Sequence, residues 1–268
     1  MSGTPESRII GRMGELSQAA SGTFWKLTVD FLCQSPGSEA STRRAFGMLP
    51  ALPASARILD CGSGPGRQTF DLASLCSARI EAVDVLPPFI DALRERAEAL
   101  GLSERIEARV QSMLDVEPPP GGFDLIWCEG AVYNVGFENA LRTWRPWLAA
   151  GACVGVSEAT WMTPSPPAQA LAFWDEAYPA MQLHEDNVRT IEACGYELLG
   201  SFPQPAGDWR QYYGPREERI RSMRAETNDP DELEALAHFE AEGRLYDESE
   251  GAYTYVFYVV RRAEGLRS

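Results

Sequence analysis

Residues 57–66 read Arg57-Ile58-Leu59-Asp60-Cys61-Gly62-Ser63-Gly64-Pro65-Gly66. A short apolar run that meets a glycine cluster predicts a strand turning sharply into a helix, which should run on through about Cys76. At such a turn an open α/β sheet presents backbone N–H groups and a helix N-terminus, and glycines let a ligand approach the main chain closely. Ile80-Glu81-Ala82-Val83-Asp84 reads as the second strand. Asp84 thus ends that strand about twenty residues after the turn, where a carboxylate can accept both hydroxyls of an adenosine ribose.

The alternation continues outward from this unit. Pro87 to Leu100 predicts a helix stopped by Gly101, Ile106 to Val110 a third strand, Phe123 to Cys128 a fourth, residues 137–149 a helix, and Ala152 to Ser157 a fifth strand. Strands alternating with helices predict a doubly wound parallel α/β sheet with helices on both faces. Upstream, Ser41 to Leu49 reads as a helix ended by Pro50 and Pro53, and residues 1 to about 22 as a frayed arm that turns helical near Phe24-Trp25-Lys26-Leu27. Downstream, Asn187 to Ala193 is helical and Gly195 to Phe202 strand-like, and the next strong strand comes only at Ala252 to Val260. Between them Pro215 to Arg224 and Pro230 to Ala241 read as helices, so residues 205–250 predict a structured cap, since long structureless loops inside domains are uncommon. The expected organisation is an arm over 1–35, a main domain over 36–262 that includes the cap, and a frayed tail over 263–268.

A chain of 268 residues fits one α/β core carrying an insertion. The net charge of −15 repels phosphate backbones and anionic membrane surfaces, and no Lys/Arg cluster offsets it. Neither nucleic acid nor membrane is expected as a partner. The six cysteines are scattered and there are only two histidines, His184 and His238, which argues against structural zinc, a disulfide framework or any metal site. No basic N-terminal region precedes an apolar run, and no eighteen apolar residues run together, so a cytoplasmic protein is expected. A small-molecule substrate and, at most, a second copy of the chain are the expected partners.

Through Ile58-Leu59-Asp60-Cys61-Gly62-Ser63-Gly64-Pro65-Gly66 and Ala82-Val83-Asp84-Val85 the sequence resembles the class I S-adenosylmethionine-dependent methyltransferases, over roughly residues 35 to 260. More narrowly, Pro36-Gly37-Ser38, residues 128–137 and Ser157-Glu158-Ala159-Thr160-Trp161 look like a bacterial branch of unknown substrate. The resemblance implies a seven-stranded mixed sheet of order 3-2-1-4-5-7-6, with Tyr253 to Tyr258 in the antiparallel seventh strand and the helical insertion between strands six and seven. It implies S-adenosyl-L-methionine as cofactor, with Asp60, Gly62, Ser63, Gly64 and Gly66 at its methionine end. Asp84 and Val85 would stand at the ribose, Leu86 and Met113 would flank the adenine, and Ser112 would meet its amino edge. The long insertion departs from the minimal family pattern. The competing readings of the glycine turn are a tight turn with no ligand and a nicotinamide-dependent oxidoreductase.

Methyl transfer from a sulfonium requires alignment of nucleophile, methyl and sulfur and exclusion of water, and no covalent enzyme nucleophile. The carboxyl ends of strands four and five face the cofactor side of such a sheet, which selects Glu129 and Glu158. Glu129, Tyr133 and Asn134 are expected at the methionine and acceptor region, with Glu158 and Trp161 on the acceptor side, and Glu129, Tyr133 and Glu158 as the catalytic candidates. Desolvation could raise a glutamate into the range of a general base. Either glutamate could instead cap a helix N-terminus or pair with an arginine. Trp174 and Tyr178, spaced for one helix face, and the cluster Trp209, Tyr212 and Tyr213 could wall a hydrophobic or cationic substrate pocket, or serve only as core. An amine or polar metabolite is the leading acceptor, with carbon and oxygen acceptors of the quinone-methyltransferase type open. Arsenite methylation is disfavoured because no thiolate cluster is evident. A chain that binds the cofactor as a sensor or partner subunit, without transfer, is the non-enzymatic alternative.

Overall fold

The computed structural model describes residues 18–264. The frayed character read for residues 1–17 and for 265–268 lies outside the described residues. The strands are β1 (Arg57–Cys61), β2 (Arg79–Asp84), β3 (Ile106–Val110), β4 (Phe123–Cys128), β5 (Leu148–Trp161), β6 (Gln182–Leu183), β7 (Tyr196–Pro203) and β8 (Tyr253–Arg262). The helices are α1 (Gln18–Thr28), α2 (Glu39–Phe46), α3 (Arg67–Leu75), α4 (Pro87–Ala99), α5 (Phe137–Trp144), α6 (Ala168–Ala177), α7 (His184–Ala193), α8 (Ala206–Glu226) and α9 (Pro230–Glu248).

One sheet runs in the order β3-β2-β1-β4-β5-β8-β7. The first five strands are parallel, and β8 is antiparallel to both β5 and β7. This is the expected α/β architecture and order once the extra two-residue strand β6, which pairs with Thr160 and Trp161, is set aside. Two residues carry no readable alternation, which is why β6 has no signature in the sequence. β5 extends well past the Ala152–Ser157 run, because its far half is held on one side by β8 and at its tip by β6. Glu158 therefore lies inside the strand, opposite Val256, and not at its end.

Period-two alternation gives the sheet two apolar faces. Leu59, Ile126, Val154 and Tyr258 pack against α5 and α7 through Leu141, Trp144 and Ile191, while Ile58, Ile80, Trp127 and Phe257 pack against α2, α3 and α4 through Ala45, Leu72 and Leu93. Each fully buried Leu or Ile contributes about 1.5 to 3 kcal/mol. This leaves the carboxyl ends of β1, β2 and β4 free to form a site.

The insertion between β7 and β8 is a helical pair, α8 and α9, against which α1 packs through Leu27, Ile220 and Leu236. α8 starts at Ala206 and not at Pro215, which lies inside it. A mid-helix proline removes one backbone bond and favours a helix start on sequence grounds. Here tertiary bonds upstream hold the preceding turns: Ser41 Oγ donates to Asp208 at 2.6 Å and Trp209 Nε1 to Thr254 at 2.9 Å.

Candidate active site

The turn from β1 into α3 is tied to the end of β2. The backbone N–H groups of Gly62 and Ser63 both donate to Val83 O, at 2.8 and 3.0 Å. Asp84 accepts the Gly64 N–H with one carboxylate oxygen and the Leu86 N–H with the other, each at 2.9 Å. Burial pushes its carboxyl up, and these backbone donors oppose that rise by favouring the anion.

Above this turn lies a cleft of about 860 Å³. Val85, Leu86, Phe89 and Met113 form an apolar side, with Asp84 and Gln111 as polar groups beside it. Gly62, Ser63 and Gly64 form the floor, and Glu129, Tyr133 and Asn134 the opposite end. Leu32, Gln34 and Ser35, from the segment between α1 and α2, close it as a strap. The strap is fixed from the cap: Arg216 donates to Cys33 O at 2.9 Å and to Gln34 Oε1 at 3.2 Å, and Gln34 Nε2 donates to Phe31 O at 2.7 Å.

Gln34, Ser35, Gly130 and Tyr133 also line a second chamber of about 560 Å³, so the two spaces adjoin. Phe173 and Trp174 of α6, Trp209, Tyr212 and Tyr213 of α8, Glu242 of α9 and Tyr255 of β8 complete its wall. Trp209 and Tyr213, selected from the sequence as substrate contacts, thus line the chamber together with Tyr133, while Asn134 lines the adjoining cleft.

Glu129 lines the cleft, but its carboxylate is already engaged. Thr42 Oγ1 donates to it at 2.7 Å and Trp127 Nε1 at 2.8 Å, and Arg67 forms an ion pair with its other oxygen. The alternative of pairing with an arginine is the one realised. The carboxylate has few lone pairs left for a substrate proton, so it holds β4, α2 and α3 together.

Other sequence candidates lie off the wall. Asp60 is fully buried behind the turn, accepting from Thr69 at 2.6 Å and Gln68 at 3.3 Å, and burial pushes its carboxyl up to about 7. Gly66 caps α3 at φ +97°, where a side chain would meet Leu93 Cγ at 2.8 Å; it serves helix packing and does not line the cleft. Ser112 accepts from the Leu114 N–H at 3.2 Å, closing a local turn, and Gln111 takes the cleft position. Glu158 faces the Tyr178 hydroxyl on a buried stretch of β5, and burial pushes it up to about 8. Trp161 packs edge-on against Tyr253 at 6.0 Å, and Tyr178 lines a separate outer groove. None of these three lines the cleft, although Tyr178, which follows α6, packs edge-on against Tyr133 at 5.9 Å. His184 stacks on Tyr258, and His238 lies on α9 beside an outer groove.

Sequence reasoning selected Tyr133, Trp174, Trp209, Tyr212 and Tyr213 of the chamber wall and missed Arg67, the strap, Phe173, Glu242 and Tyr255. Arg67 left one signal: a cation at the first position of a helix opposes the macrodipole and calls for an anionic partner. The strap left no periodic signature.

Residues 58–151 match the family described as "Methyltransferase domain". Over 80 residues the chain is 39% identical to an uncharacterised protein of Synechococcus sp., a stretch that covers 30% of this chain and 19% of that protein's length. Among solved structures, the S-adenosyl-L-homocysteine complex of a SAM-dependent methyltransferase from Geobacter sulfurreducens is 17% identical, with a TM-score of 0.77 over 89% of this chain and 97% of that one. The [4+2]-cyclase SpnF is 18% identical, with a TM-score of 0.74 over 99% of both chains. At these identities the likeness is one of fold, the Rossmann-like methyltransferase fold. Among the described residues, no helix is long and apolar enough to cross a membrane, and no group of His, Cys, Asp or Glu is placed to hold a metal ion.

Proposed function

We propose that the chain is an S-adenosyl-L-methionine-dependent methyltransferase acting on a small molecule, with an amine or polar metabolite favoured over carbon and oxygen acceptors. The observation that carries this reading is the placement of Asp84, fixed by the Gly64 and Leu86 N–H groups at the edge of a cleft whose next wall is apolar. A carboxylate for ribose hydroxyls beside Val85, Leu86, Phe89 and Met113 for an adenine ring fits an adenosine ligand, and Gln111 supplies a polar group at that end. The matched methyltransferase-domain stretch includes all of these residues.

When bound, the cofactor supplies a methyl group on a sulfonium, ready for in-line displacement. The protein's part is to orient and to exclude water. Gly62, Ser63 and Gly64 offer a close main-chain approach along the floor of the cleft. Tyr133 stands where cleft and chamber adjoin, with Asn134 on the cleft side, and these two are our candidates for aligning an acceptor. The strap covers that junction, and Glu129 keeps it in register by holding α2.

Calorimetric titration with S-adenosylmethionine, S-adenosylhomocysteine and NADH tests the reading. Micromolar binding of the first two is expected. Asp84→Ala removes charge-assisted hydrogen bonds worth roughly 1.5 to 3 kcal/mol each and should weaken both by about ten-fold or more. Binding of NADH alone overturns the proposal. Tight cofactor binding with no transfer to broad amine and polar-metabolite pools selects the sensor or partner-subunit reading.

A further inference from the structure

The second chamber has a chemistry of its own. Its wall is built of aromatic rings from four segments, the turn after β4 with Tyr133, α6, α8 and β8, and Glu242 is the one charged side chain among the described residues that line it. No Lys, Arg or His is among them, and Arg216, whose guanidinium lies over the Tyr212 ring off the lining, is held by Cys33 O, Tyr212 O and Gln34 Oε1, so an acceptor carrying a phosphate or carboxylate would meet Glu242 with no cation on the lining itself.

The rings are fixed in place. Trp209 is stacked on Tyr246 at 4.2 Å and on Tyr255 at 5.6 Å, and its Nε1 donates to Thr254 at 2.9 Å. Trp174 packs edge-on against Tyr253 at 5.2 Å, and Tyr212 edge-on against Tyr213 at 4.9 Å. The Tyr213 hydroxyl donates to Glu242 Oε1 at 3.1 Å, which aims that carboxylate along the wall. Faces of Trp209, Tyr255 and Tyr212 are taken up by ring stacking and by Arg216, which leaves Phe173, Trp174 and Tyr213 beside Glu242; aromatic quadrupoles and a carboxylate around one space attract a diffuse cation without demanding hydrogen bonds from it.

Resting on the methyltransferase reading, we propose that this chamber binds the acceptor as a small alkylated ammonium ion that bears no phosphate or carboxylate. The tertiary ammonium gives its proton to the Glu242 carboxylate or to solvent, and the lone pair of the free amine then forms the new N–C bond as the C–S bond of the sulfonium breaks and S-adenosylhomocysteine leaves. Pre-set rings lose little conformational entropy on binding, and a cation with alkyl groups gains apolar burial as well as charge attraction.

The probes are choline, its neutral isostere 3,3-dimethyl-1-butanol, and phosphocholine, titrated calorimetrically into the full chain with and without S-adenosylhomocysteine. Choline is expected to bind about five-fold or more tighter than the neutral isostere, and phosphocholine more weakly than choline. Glu242→Gln and Trp174→Leu should each erode the preference for choline over the isostere, and Trp174→Phe should retain most of it. Equal affinity for the isostere, tighter binding of phosphocholine, or no choline binding overturns the proposal. Because S-adenosylhomocysteine affinity is measured in the same samples, loss of the cofactor reading would show there and not in the choline series.

Discussion

Arg67, at the first position of α3, is ion-paired with Glu129, just past the end of β4, with both side chains almost wholly withdrawn from water. Burial works against the Arg67 charge, and Glu129 beside it more than offsets that cost, raising the guanidinium above its ordinary value. A cation held at the wrong end of a helix dipole is thereby made into a brace between α3, β4 and, through Thr42, α2. Glu129→Gln leaves that cation with Asp71, 3.1 Å away, as its remaining carboxylate partner. The expected loss is up to about 3 kcal/mol of unfolding free energy, and Arg67→Met/Glu129→Gln should recover part of it. Chemical denaturation of the single and double variants measures this, and a double variant no more stable than Glu129→Gln would contradict the bracing role.

Arg216 joins the cap to the strap. It donates to Cys33 O and Gln34 Oε1, and its guanidinium lies over the Tyr212 ring, 3.9 Å from the centroid. Arg216→Ala should therefore release residues 29–38 and let water into both spaces. S-adenosylhomocysteine affinity is expected to fall about ten-fold, with faster proteolysis within the strap, while the unfolding midpoint of the core moves little. An unaltered affinity in a folded variant would show that the strap does not bear on the cleft.

The parts of the molecule legible in the sequence are those with short-range patterns. The alternation from Arg57 to Ser157 marks β1 to β5, and the glycine turn with Asp84 marks the floor and edge of the cleft, because each depends on neighbours close in the chain. Arg67 with Glu129, the strap with Arg216, and Glu242 in the chamber depend on contacts between distant segments that no local period records. Pro215 and Glu158 misled for the same reason: tertiary bonds carry α8 through a proline, and β8 with β6 carries β5 past its apolar run.

Stability should also carry a pH signature from Glu158. Burial pushes its carboxyl up to about 8, so between its ordinary range and that value the folded chain keeps a proton that the unfolded chain has lost. The stabilisation is complete below about pH 4.5 and is lost as pH rises through about 8. Asp60, pushed up to about 7, acts with the same sign and remains in a Glu158→Gln variant. The wild type is therefore expected to lose roughly 1 to 4 kcal/mol more than Glu158→Gln between pH 6 and pH 9. Denaturant midpoints of both proteins across that range provide the measurement, and parallel curves would rule out a buried neutral Glu158.

Gly130 is where the strap meets the sheet. Its φ is +61°, its N–H donates to Ser157 Oγ at 2.8 Å, and a Cβ built there would come 2.2 Å from Ser35 Oγ. Gly130→Ala brings two separable costs: the left-handed backbone penalty of roughly 1 to 2 kcal/mol, and displacement of Ser35 from the junction of cleft and chamber. Both thermal stability and S-adenosylhomocysteine affinity should fall. Adding Ser35→Gly removes the atoms in the way but not the backbone penalty, so the double variant should regain affinity while its melting temperature stays low. Recovery of both together would mean that the strap contact, and not the turn, dominates stability here; recovery of neither would place the effect of Gly130 in the β4 turn alone and disconnect it from ligand binding.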